Sequence, residues 1–93
     1  MVSLALAWRL TPLQRLARRC WEGECVVFND VTGDTHLLGD EALTILAHLA
    51  SRPADGHSLQ LLFGGNFGAE ENEEFLELLR HLGQLELIEP CPP

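Results

Sequence analysis

Cys20 and Cys25 stand with four residues between them, Cys91 follows far downstream, and His36, His48, His57 and His81 supply four imidazoles. Thiolates and imidazoles are the usual zinc ligands, so a metal centre is the first chemistry to weigh. Structural zinc takes close cysteine pairs in duplicate, or one such pair with a paired histidine motif, and neither occurs here. The thiols are therefore expected to be reduced and the histidines solvated, with no metal and no cofactor bound.

A cysteine nucleophile needs a histidine beside it and a cleft around it, and the single small core open to 93 residues leaves little room for one. No Gly-x-Gly-x-x-Gly, His-Glu-x-x-His or Gly-x-Ser-x-Gly pattern is present. Gly64-Gly65-Asn66-Phe67-Gly68 lacks the lysine and the preceding strand of a phosphate loop, and reads as a turn between helices. Glu70, Glu71, Glu73 and Glu74 lack the alternating ligands of a calcium loop, so they are expected to form a solvated helix start that also attracts a basic peptide. The chain is not expected to be an enzyme.

Fourteen acidic residues against six arginines give a net charge of −8, and four of the arginines fall between Arg9 and Arg19. The rest of the chain repels phosphate backbones and favours a partner carrying Lys or Arg. No run of 18 apolar residues suggests a membrane span. The apolar N-terminus lacks a basic leading region and is broken by Arg9, so it reads as a strand rather than a signal peptide. An odd number of cysteines does not make a secreted disulfide framework, and a cytoplasmic location is expected.

These groups must be positioned by few elements. Leu4, Leu6, Trp8 and Leu10 alternate with smaller or polar residues, the pattern of a strand that buries one face, with Trp8 in the core and Pro12 ending it. The segment from Leu13 to Cys20 reads equally as a helical turn or a weak edge strand. Trp21-Glu22-Gly23-Glu24 is a tight connection. Cys25 to Phe28 is then a strand, Asn29 to Asp34 a turn, and Thr35 to Leu38 the returning strand of a hairpin.

Asp40 is placed to cap a helix whose apolar face runs from Ala42 to Ala50, ending before Pro53. Ser58 begins a short second helix that stops at Gly64-Gly65. A third, roughly Glu70 to Leu82, carries its glutamates first and Arg80-His81 last, as the helix dipole favours, and ends at Gly83. Leu85 to Ile88 returns as a short strand. The expected fold is α+β, a small antiparallel sheet followed by three helices in a winged helix-turn-helix-like order, with a single domain over residues 1–89 and a frayed tail over 90–93.

The residues Trp21 to Asn29, the run Thr32-Gly33-Asp34-Thr35-His36-Leu37-Leu38 and the helix pattern Ala42-Leu43-Thr44-Ile45-Leu46 resemble the PqqD-like family, the pyrroloquinoline quinone biosynthesis D proteins. The likeness is to the branch associated with HPr-kinase-related proteins. It spans Trp8 to Ile88, is specific only from Val26 to Leu49, and departs from the family pattern at Gly64 to Gly68 and at Gln84-Leu85-Glu86. The resemblance implies a winged-helix-like peptide chaperone, a recognition element for ribosomally synthesised precursors. Such a module captures a leader peptide by strand addition and presents it to a modifying enzyme.

Carried onto this chain, the resemblance places the peptide between Thr35, His36, Leu37 and Leu38 on one side and the third helix on the other. There Glu74, Leu78 and His81, followed by Leu85, form a second face off the core stripe. Leu78 serves equally well as a residue packed inside its own domain, and His36 as one that fixes the preceding turn. The expected partners are a leader peptide with basic residues and a modifying enzyme or HPr-kinase-related protein, with no nucleic acid and no membrane. A homodimer is possible through the exposed strand edge. A structural adaptor for a kinase-like partner is the alternative. A DNA-binding winged helix is disfavoured because the third helix presents five glutamates before its one arginine.

Overall fold

The computed structural model describes residues 4–12, 16–22, 24–30 and 32–91. The fold is α+β: two three-stranded antiparallel sheets with three α-helices. The elements are β1 (Ala7–Leu10), β2 (Leu16–Trp21), β3 (Glu24–Asn29), β4 (Thr35–Leu38), α1 (Asp40–Ser51), β5 (Ala54–Asp55), α2 (Gly56–Gln60) continued by a 3-10 turn (Leu61–Phe63), α3 (Ala69–Gln84) and β6 (Ile88–Pro90). The expected features at Met1 to Ser3, Leu13 to Arg15, Gly23, and Pro92 and Pro93 lie outside the described residues.

One sheet has the order β2-β3-β4 and is the anticipated hairpin extended by a third strand on its N-terminal side. Of the segment left open before Cys20, the described part from Leu16 onward is a strand, fully paired with β3 from Leu16↔Asn29 to Trp21↔Glu24. Glu22 accepts a positive φ of 47° at the connection. The second turn is closed by its own polar groups: Asn29 N donates to Asp34 O (2.8 Å), Gly33 N to Asn29 O (2.8 Å), Thr32 N to Asn29 Oδ1 (3.3 Å) and Asp34 N to Thr32 Oγ1 (3.2 Å). Asn29 and Thr32 therefore hold it, in place of the role considered for His36.

The other sheet, β5-β1-β6, was not anticipated as a separate unit. β1 is shorter than its apolar alternation, because Leu4 to Leu6 precede the strand as a turn. It pairs with β5 through Trp8↔Ala54 and with β6 through Arg9↔Glu89 and Leu10↔Ile88. The strand at the chain end starts at Ile88 rather than Leu85 and includes Pro90, while Cys91 N donates to Ala7 O (2.9 Å). Across this pair Arg9 Nε and Nη2 both donate to Glu89 Oε2 (2.9 and 2.6 Å). Gly56 is where the N-terminal segment passes closest, since an added Cβ there would lie 2.9 Å from Leu4 O.

The helices pack Ala42, Leu43, Ile45, Leu46 and Leu49 of α1, Leu59 of α2 and Phe75, Leu79 and Leu82 of α3 with Trp8, Val27, Leu87 and Ile88 into one core. Gly39 rather than Asp40 occupies the N-cap of α1, and Asp40 sits in its first turn, where a carboxylate favours the helix dipole. The second helix begins at Gly56, capped by Asp55 rather than Ser58: Ser58 N donates to Asp55 Oδ1 (2.7 Å). α3 starts one turn-residue early at Ala69, where Gly68 N donates to Glu71 Oε1 (3.3 Å).

Gly83 does not end α3. Its Cα hydrogen side faces Trp8 so closely that a Cβ would meet Cζ3 at 3.3 Å, and the helix runs on to Gln84. Termination comes at Glu86, with φ 63°, where Glu86 N donates to Gly83 O (3.0 Å) and Leu87 N to Leu82 O (3.1 Å). This is the paired-bond C-terminal motif that usually holds glycine in the left-handed position.

Candidate functional site

Among the described residues the sheet β2-β3-β4 leaves both outer strands with one unpaired side, β4 at one edge and β2 at the other. Alternation sorts their side chains. On the solvent face, Ala17 lies beside Phe28 and Thr35, and Arg19 beside Val26 and Leu37. On the core face, Arg18 lies beside Val27 and His36, and Cys20 beside Cys25 and Leu38.

Of the predicted site residues, Thr35 is exposed, His36 half-buried, Leu37 66% exposed and Leu38 buried in the core. Leu37 thus offers apolar surface at an open edge, whereas Leu38 anchors the strand. On α3, Glu74 and His81 are exposed and Leu78 is half-buried against the core. Leu78 packs part of its surface against the domain's own core and leaves the rest accessible. The four β4 residues and the α3 trio do not line a common pocket among those described.

Glu74 does line a pocket of about 240 Å³ with Glu41 and Glu71 at its rim and Phe63, Phe67 and Phe75 as its walls. Phe75 meets Phe63 and Phe67 edge-on, with ring centroids 5.9 and 5.4 Å apart. Glu41 belongs to the first turn of α1, three residues beyond Leu38, so this acidic, aromatic hollow begins where β4 ends. Phe75 is legible in the sequence as part of the apolar stripe of the third helix, whereas Phe63 and Phe67 lie in a turn and a loop with no periodicity to mark their direction.

The core-facing side of β2 opens on a groove of about 410 Å³ against α1, walled by Leu10, Leu16, Val27, Leu43, Leu46 and Ala50, with Arg18 also lining it. On the opposite face a hollow of about 360 Å³ is lined by Arg19, Trp21, Val26, Phe28 and Thr35, and shares Ala17 and Arg18 with the first. Trp21 is 49% and Phe28 40% exposed. The sequence alone leaves this segment open between a helical turn and a weak edge strand, because Leu-Ala-Arg-Arg-Cys-Trp has no clean alternation.

The expectation of reduced thiols is corrected at Cys20 and Cys25, which form a disulfide. The hairpin register puts the two residues directly opposite one another, with Cα atoms 4.1 Å apart, a proximity invisible in spacing alone. Cys91 is a free thiol. Among the described residues no group of three or more His, Cys, Asp or Glu is placed to hold a metal ion, and no helix is long and apolar enough to cross a membrane.

Among the described residues, the Asp55 carboxyl is held below its ordinary value by the backbone N–H of Ser58, then by the Ser58 side chain, with His57 adding a smaller attraction. That shift belongs to a helix cap, not to a reaction centre. No family model matches the chain, and neither a curated protein nor a solved structure matches it.

Proposed function

We propose that the chain is a non-catalytic, PqqD-like peptide-binding module of the cytoplasm, with a winged-helix character, that takes up the leader of a ribosomally made precursor by strand addition and presents it to a modifying enzyme. The observation that carries this reading is the open edge of β4, which displays Leu37 at 66% exposure beside unpaired backbone groups. The hollow formed by Phe63, Phe67 and Phe75 under Glu41, Glu71 and Glu74 lies just past the end of that strand. Apolar walls and a carboxylate rim suit a basic side chain on the arriving peptide.

Residence in a reducing cytoplasm would require the Cys20–Cys25 disulfide of this structure to be reduced there, and the backbone ladder from Leu16↔Asn29 to Trp21↔Glu24 pairs β2 with β3 independently of that bond. Calorimetric titration with the short peptides encoded beside this gene tests the reading. Binding with a negative heat-capacity change is expected. Leu37→Arg, at a position the fold leaves free, is expected to weaken it by about ten-fold or more through lost apolar contact and added repulsion toward a basic peptide. Silence from every such peptide, with binding to the neighbouring enzyme retained, replaces this reading with that of an adaptor.

A further inference from the structure

We propose that β2 forms a second docking edge, separate from β4, and that its occupant is an extended acidic segment of a partner protein. The strand spans six residues, Leu16–Trp21, and its outer side has no sheet neighbour among the described residues. Two hollows flank it, one on each face of the sheet. A strand laid against β2 sends successive side chains to opposite faces. Every second residue then enters the groove walled by Leu16, Leu43 and Leu46, and the alternate ones cover Trp21 and Phe28.

Charge selects the occupant. Arg18, whose register position is on the helix side of β2, lines both hollows, Arg19 lines the outer one, and neither has an ion pair among the described residues. They are adjacent cations in a chain of net charge −8. Two neighbouring carboxylates on an added strand, pointing to opposite faces, meet one arginine each. Arginines on an edge also deter self-pairing, because β2 laid against β2 of a second copy would oppose four guanidinium groups. Guarding the edge and selecting an acidic strand are the same electrostatic act, but a guard alone needs no apolar groove on each side.

The test uses the full chain labelled with nitrogen-15 and two ten-residue synthetic peptides, one with a central Glu-Glu pair flanked by valines and leucines, the other with Lys-Lys in its place. The acidic peptide is expected to bind about ten-fold or more tightly than the basic one, with affinity falling as salt rises. It should shift the amides of Leu16 to Trp21 and move Trp21 emission to shorter wavelength. Arg18→Gln combined with Arg19→Gln should remove the preference and its salt dependence while leaving the melting midpoint in place.

Ala47→Glu, at an exposed α1 position lining the helix-side groove, should weaken the acidic peptide by about ten-fold through like-charge repulsion. Equal affinity for the two peptides, no binding of either, or indifference to Ala47→Glu overturns the proposal, as does concentration-dependent dimerisation through β2. Amide shifts confined to Thr35 to Leu38 also overturn it, and they leave the β4 reading standing. Loss of leader binding at β4 with shifts retained at β2 has the converse meaning.

Discussion

Gln60 is 6% exposed, and its amide is kept satisfied because Nε2 donates to Asn72 Oδ1 at 2.7 Å, tying α2 to α3 across the core. Trp8 is deeper still, at 4%, with Nε1 buried and unpartnered among the described residues, so that its contribution is packing against Gly83 and its neighbours. Asp55 contributes through charge. Its carboxylate accepts from Ser58 N and its pKa is lowered from 3.8, so its stabilisation is complete above that value and is lost as pH falls through the lower folded one. Asp55→Ala is expected to cost about 0.5–1 kcal/mol at neutral pH and less in strong acid, where the neutral carboxyl still accepts but has lost its charge, as read from urea midpoints at several pH values. Asp55→Asn should keep most of the cap and lose the acid dependence. The aspartate was visible in the sequence, but its capping role was assigned to Ser58, since either residue type caps a helix and only the helix start decides between them.

At the level of elements, the hairpin, the three helices and their polar or apolar faces were legible, because each rests on residues within a few positions of one another. The limits of the elements were not. Gly83 has the residue type that ends helices, yet it sits inside α3 because Trp8 needs its missing side chain, and Glu86 takes the left-handed position instead. An L-residue there is disfavoured, so Glu86→Gly is expected to raise stability by about 0.5–1 kcal/mol, seen as a higher chemical midpoint with an unchanged denaturant slope. If Glu86→Gly leaves the midpoint unmoved or lowers it, the C-terminal motif is not as described. β2 offers the second case: with two arginines, a cysteine and no alternation its sequence fits a helical turn as well as a weak edge strand, and pairing with β3 makes it the strand.

Across the whole molecule, the two chain ends are joined. β1 carries β6 on one side and β5 on the other, and Arg9 and Glu89 close the pairing across 80 residues. Leu87 and Ile88 are 0% and 1% exposed, so the last strand contributes core as well as ladder. Each such side chain is worth about 1.5–3 kcal/mol on burial, against a total of about 5–14 kcal/mol for a domain of this size. A chain ended after Glu86 is therefore expected to lose its cooperative thermal transition by circular dichroism. A sharp transition retained near the full-length midpoint would mean that the β5-β1-β6 sheet is not integral to the fold.

By itself the sequence determined the α+β class, the absence of familiar catalytic and zinc patterns, the hairpin with its Asn29 to Asp34 turn, and the acidic N-terminal half of α3. Those are properties of composition and of short windows, where periodicity and turn chemistry act. Only the tertiary structure decided that the strands divide into two sheets, that Cys20 faces Cys25, that Leu78 packs in part against the core, and that three phenylalanines meet under the glutamates beyond β4. It also decided that β2 is an edge with a groove on either side. Each of these depends on which distant segments share a surface, and a strand's pattern states which face it buries without naming the strand it pairs with.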